Sequence, residues 1–169
     1  MSKVSIPKEL FDPFFFFEEQ IEISIKTSEL FDVNIPFYHE IAYYSGIPSV
    51  KPWEAAEEVI PELMKSWKEL QIEINNLFER RDNRETLVPM KRGIAYLIEF
   101  VFWTNGLPAQ KIPGFDFTSL QLKPVNFLER LSFLLKRPNI YPSFVQLIEL
   151  MEEQQKQFSK YIAIMKAKN

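Results

Sequence analysis

At 169 residues the chain is about one domain long, and 46% hydrophobic with 15% aromatic residues is the content of a packed core rather than of a disordered chain. The absence of cysteine excludes disulfide staples, thiolate metal sites and a cysteine nucleophile. The net charge of −3 is uneven: residues 1–62 carry 12 acidic against 4 basic side chains and residues 63–169 carry 11 against 16, so either the two parts complement each other or the second meets an anionic partner.

The first residues, Met1 to Lys8, alternate polar and apolar side chains without the charged-then-apolar pattern of a secretory leader. Asp12-Pro13 is a cap-and-start signal, which predicts a first helix through Phe17, Ile21 and Ile25 ending near Lys26–Leu30. Strand signals are nearly absent; only Glu22–Ile25 alternates, within a helical composition. Pro36 opens a short helix, Phe37–Tyr44, which Gly46 closes. Pro48 and Pro52 bracket a connector, and Pro52 starts a third helical segment that Pro61 kinks or restarts. Leu63, Trp67, Leu70, Ile74 and Leu77 then form one apolar stripe at 4-3-4-3 spacing, before a polar turn at Arg80–Arg84.

From Pro89 to Thr104 the chain is apolar nearly all round, which predicts the central, most buried helix, stopped at Asn105-Gly106. Residues 106–122 read as an irregular loop, long enough to suggest function. Pro124 begins a helix through Leu135 that ends before Pro138. Pro142 begins the last one, with Phe144, Ile148, Met151, Gln155, Phe158, Ile162 and Met165 on one stripe. The expected fold is all-α: one domain, a compact bundle of about four to five main helices over residues 51–169, with an N-terminal helical appendage over residues 1–50. The longest apolar stretch, Ile94–Trp103, is interrupted by Glu99 and is about half a bilayer span, so a cytoplasmic protein without a membrane partner is expected.

Familiar catalytic signatures are missing. A di-iron bundle needs Glu-x-x-His pairs, and the single histidine, His39, follows Pro36 at the glutamate position. A three-histidine zinc site fails on the same count. No P-loop, Gly-x-Gly-x-x-Gly or Gly-x-Ser-x-Gly occurs. No cofactor or metal is expected, no catalytic residue is assigned, and the reading leans away from an enzyme.

Four sets of residues ask for an explanation. Glu99, the sole charge in the central helix, must be paired, protonated or facing a wet pocket; Arg92 lies two turns back on its face. Arg80, Arg81, Arg84, Lys91 and Arg92, tempered by Asp82 and Glu85, form a basic turn that is either solvated or contacts phosphate. Lys123, Asn126 and Arg130, with Glu129 beside them and Tyr141 further on, suit a hydrogen-bonded groove or an inter-helix ion network equally well. The Phe14–Phe17 run points all round a helix, so at least one ring meets a second surface, in the chain or on a partner; with the last helix, it keeps a homodimer open.

The stretches Trp103–Pro108, Lys123–Asn126, Glu129–Leu131, Arg137-Pro138 and Tyr141–Leu147 resemble the YpoC-like family of small proteins from Gram-positive spore-forming bacteria. The resemblance spans roughly residues 89–150. It implies an all-helical domain, carries over no catalytic residues, and brings a gene neighbourhood that includes a DNA-repair glycosylase and replication or cell-wall genes. Two functions are therefore expected to compete. One is a non-enzymatic interaction module holding a protein segment or small anionic ligand in the groove of Lys123, Asn126, Glu129, Arg130 and Tyr141, walled by the Asn105–Leu122 loop. The other is a DNA repair or replication accessory touching phosphate through the basic turn.

Overall fold

A computed structural model of the chain describes residues 2–10, 12–16, 18–23, 35–110 and 114–169. Its axis is the helix that is apolar on every side, which runs from Leu87 to Thr104. An element without a polar face must be covered on all sides, and the other helices do this. In chain order the helices are α1 (Tyr38–Tyr44), α2 (Ala56–Glu79), α3 (Leu87–Thr104), α4 (Phe127–Lys136) and α5 (Tyr141–Ala167), with single 3₁₀ turns at Pro52–Glu54 and Phe117–Ser119. α3 packs against α2, α5 and the first 3₁₀ turn, and α4 packs on α5. Gly93 marks a close approach: a Cβ there would stand 2.9 Å from Leu147 Cδ2 of α5 and 3.0 Å from Trp67 Cζ3 of α2.

The predicted α2 stripe buries Leu63, Trp67, Leu70 and Ile74, and then Phe78 rather than Leu77. Pro61 lies inside α2, where it gives up only one early-turn hydrogen bond. Three helices end on the same hydrogen-bonded cap, in which the two residues after the last turn donate back to it. After α1, Gly46 N–H bonds Tyr43 O and Ile47 N–H bonds Ala42 O; after α3, Gly106 N–H bonds Trp103 O and Leu107 N–H bonds Phe102 O. After α2 the same motif (Arg81 to Phe78, Asp82 to Leu77) uses an arginine at φ 55° where the other two use glycine.

The N-terminal region departs from the helix expected from Asp12. Residues Ser2–Ser5 (β1) and Gln20–Ile23 (β2) pair antiparallel, with Lys3 opposite Glu22 and Val4 opposite Ile21. The cap at Asp12 does form: its side chain accepts from Phe14 N–H at 2.8 Å and its carbonyl from Phe16 N–H. It nucleates one turn and no more, because Gln20–Ile23 has period-two alternation that Lys3–Ser5 matches across the ladder. Among the described residues the fold is therefore mostly α with one small strand pair; within the expected appendage that pair stands where the first helix was expected, while the short helix after Pro36 forms as α1. Phe17, Ile25 and Lys26–Leu30 of the predicted helix lie outside the described residues, as do residues 111–113 of the long loop.

Of the Phe14–Phe17 run, Phe15 and Phe16 set their rings against Phe37, with centroids 5.1 and 6.4 Å apart, and Phe14 lies under the Lys91 ammonium at 5.0 Å. No described helix is long and apolar enough to cross a membrane.

Candidate functional site

Polar chemistry concentrates where α1 meets α3. Glu40 projects from α1 into the core and is fully buried. Its Oε2 accepts from the Trp103 indole N–H at 2.7 Å and from the Ala109 N–H at 2.9 Å, and Tyr44 O–H donates to the Ala109 carbonyl at 3.1 Å. One carboxylate thus ties α1 to α3 and to the start of the loop after it. Glu99, one turn before Trp103 and 3% exposed, accepts from the Phe37 N–H at the head of α1. Burial raises the Glu40 carboxyl to about 7, against the pull of the two N–H donors. Burial and the nearby Glu40 charge also hold Glu99 well above the usual carboxylate range. Both carboxyls therefore hold their protons to higher pH than an exposed glutamate does. His39, also buried, sets its ring edge-on to Tyr38 and Trp103. Arg92 pairs with Glu73 of α2 at 3.9 Å.

Glu40 is absent from the residues singled out above, although its signal was the same as that of Glu99: a lone acid within a short helix whose other side chains are aromatic or aliphatic. Gln154 is the second such residue. It is fully buried on α5, and its amide donates to Thr104 Oγ1 at 2.8 Å and Leu122 O at 3.1 Å. The expected stripe put Gln155 at this level. The buried face is instead Leu147, Leu150, Met151, Gln154 and Phe158, because α5 is covered by both α3 and α4.

The α4 face is drawn inward. Arg130 makes a two-pronged pair with Glu153 of α5 and donates to Val125 O at 2.9 Å, and the Gln146 amide oxygen accepts from its Nε and Nη2 at 2.7 Å. Lys123 Nζ donates to Leu120 O at 2.6 Å. Asn126 (φ 54°) heads α4 and is exposed, as is Glu129. Tyr141, 54% exposed, lies at the first turn of α5 against Phe78 and Phe144, with centroids 5.6 and 6.2 Å away. The cations of the basic turn also divide. Arg80, Arg81 and Arg84 are exposed between α2 and α3, whereas Lys91 and Arg92 sit within α3 against Phe14 and Glu73.

An open cavity of about 490 Å³ lies at the other end of α3. Its floor is Trp103, Thr104 and Asn105, one wall is Ser119–Leu122, and the remaining walls come from the Trp53 turn, the start of α2, and Phe158, Tyr161 and Ile162 of α5. The Asn105–Leu122 loop therefore walls a cavity against α2 and α5, and none of Lys123, Asn126, Glu129, Arg130 or Tyr141 lines it. Asn105 holds the loop in place: its amide donates to Leu122 O at 2.7 Å and its oxygen accepts from Leu122 N–H at 2.9 Å.

No solved structure matches the chain. A Bacillus subtilis (strain 168) protein named Uncharacterized protein YpoC is 33% identical over 115 residues, covering 67% of this chain and 70% of that protein. Residues 57–166, from the first turn of α2 to the last of α5, match the family described as YpoC-like protein. The chain belongs to the YpoC-like family.

Proposed function

We propose that the protein is a cytoplasmic, non-enzymatic interaction module that holds a segment of a partner protein. The observation that carries this reading is the cavity at the end of α3: about 490 Å³, open to solvent, with aromatic and polar walls. That is the scale of a site for one or two side chains. The groups behind its floor already bond one another, through Asn105 with Leu122 and Gln154 with Thr104, so the shape stands ready before a partner arrives. We place docking here rather than on the α4 face, because Lys123 and Arg130 spend their N–H groups on their own chain.

A photocrosslinker placed at Ser119 on the wall should label one partner, whose purified complex is lost in Ser119→Trp. Equal labelling from Glu62, on the outer face of α2, with no complex on gel filtration, would refute the module.

A second reading, a DNA repair or replication accessory, is favoured by one observation. Asn139 of the α4–α5 turn bonds Asn83 O of the α2–α3 turn, bringing exposed Lys136 and Arg137 to the same end as Arg80, Arg81 and Arg84. Phosphate contact there predicts duplex affinity that falls steeply with salt and falls again in Arg80/Arg81/Arg84→Ala. Binding indifferent to both removes this reading.

A further inference from the structure

We propose, building on the interaction-module reading, that the cavity receives the cationic side chain of a lysine or arginine in the partner segment. Three independent features of the wall agree on the sign of charge. The carboxylates among its lining residues are Glu54 and Glu57, both exposed, and no lysine, arginine or histidine lines it. The floor at Thr104–Gly106 is the C-terminal end of α3, where the aligned peptide dipoles of an eighteen-residue helix present their negative pole. The aromatic walls, Trp53, Phe158 and Tyr161, offer ring faces that attract an ammonium or guanidinium and repel an anion.

An acidic ligand would meet the carboxylates of Glu54 and Glu57 and the negative pole of α3. A purely aliphatic one would add no countercharge beside exposed Glu54 and would leave Glu57 with Lys166 alone. A long cationic side chain satisfies both halves of the site, its methylenes on the rings and its head between the carboxylates.

The rim already holds such a contact. Lys166, near the end of α5, places its ammonium 2.7 Å from Glu57 Oε1. Both side chains are more than half exposed, so the pair is screened by water and readily exchanged. A partner cation would compete with Lys166 or settle deeper beside Glu54.

The experiment uses acetylated seven-residue peptides, otherwise identical and uncharged, with lysine, arginine, norleucine or glutamate at the centre. They are titrated into the full chain while the three tryptophan indole N–H resonances are followed. Lysine and arginine peptides should shift Trp53 and Trp103 and leave Trp67, buried on the α2–α3 seam, in place. They should bind about tenfold more tightly than the norleucine peptide, and the preference should collapse in Glu54→Gln/Glu57→Gln. Those two positions are exposed, so their variants keep the fold. Lys166→Ala, which frees Glu57, should tighten binding.

If the norleucine peptide binds as well as the lysine one, the cation proposal falls and the interaction module stands. If cationic peptides bind equally well to the double glutamine variant, they bind elsewhere and the proposal falls. If no peptide shifts the indoles at millimolar concentration and Ser119 crosslinks nothing, both readings fall together.

Discussion

The stability of this protein should fall as pH rises from about 4.5 to about 7, and replacing Glu40 by glutamine should remove much of that fall. In the unfolded chain the Glu40 carboxyl ionises at its ordinary value of 4.5, while burial in the folded state lifts it to about 7. Between those limits the folded protein binds a proton that the unfolded chain has released, so rising pH favours unfolding. Below 4.5 the effect is absent, and above 7 it is complete and constant. At 1.36 kcal/mol per unit the interval amounts to about 3 kcal/mol, which in a chain of this length is a shift of roughly 6–12 °C in melting temperature. Glutamine keeps a carbonyl oxygen to accept from Trp103 and Ala109 but cannot ionise. Glu40→Gln should therefore match the natural chain within about 1 kcal/mol at pH 4.5 and exceed it by about 3 kcal/mol at pH 8. Glu99, raised by the same burial, leaves a residual slope of the same sign in the variant. Urea titrations at constant ionic strength across this range measure the difference directly. A gap between the two proteins that does not change with pH would refute the reasoning, and so would a flat profile for both.

The other predictions concern geometry. Gly93→Ala inserts a methyl group at 2.9–3.0 Å from Leu147 and Trp67; the overpacking should outweigh the gain in helix propensity and cost about 1–2 kcal/mol in urea. Arg81→Gly relieves the left-handed conformation at the end of α2 and should stabilise by about 0.5–1 kcal/mol, read as a higher melting temperature. Arg130→Ala should cost roughly 1–2 kcal/mol with the helical circular dichroism intact. In that background Glu153→Ala should cost less than it does alone; equal costs in the two backgrounds would mean that the pair contributes nothing.

Periodicity made the bundle legible. A run with no polar face, such as Ile94–Trp103, can only be central, and α3 is buried along nearly its whole length. The helix stops at Gly46 and Gly106 were equally visible, because a left-handed cap favours glycine; Arg81 carried no such mark. The N-terminal hairpin was hidden because the signal at Asp12 is local whereas strand pairing is not: Ser2–Ser5 becomes a strand only when Gln20–Ile23 lies beside it. For the polar residues, the sequence identified Glu99 as a charge in need of an explanation but suggested Arg92 as its neighbour. The structure gives Arg92 to Glu73 and places Glu99 near another acid, Glu40, from a helix far earlier in the chain. That juxtaposition depends on how α1 crosses α3, and no spacing within either helix encodes it. The cavity was half visible, since the long loop was suspect, but its opposite walls come from Trp53 and Tyr161, which only the fold brings together.

The Glu40 clamp bears on where this chain can be cut. The family match begins at residue 57, so an expression fragment trimmed to it would omit α1. The Trp103 indole and the Ala109 amide would then be left without the acceptor that serves both, at about 1–3 kcal/mol for each donor. Glu99 would also lose the Phe37 amide. Such a fragment retains every long helix of the bundle and lacks the plug that seals its centre, so water or a foreign acceptor would have to enter beside α3.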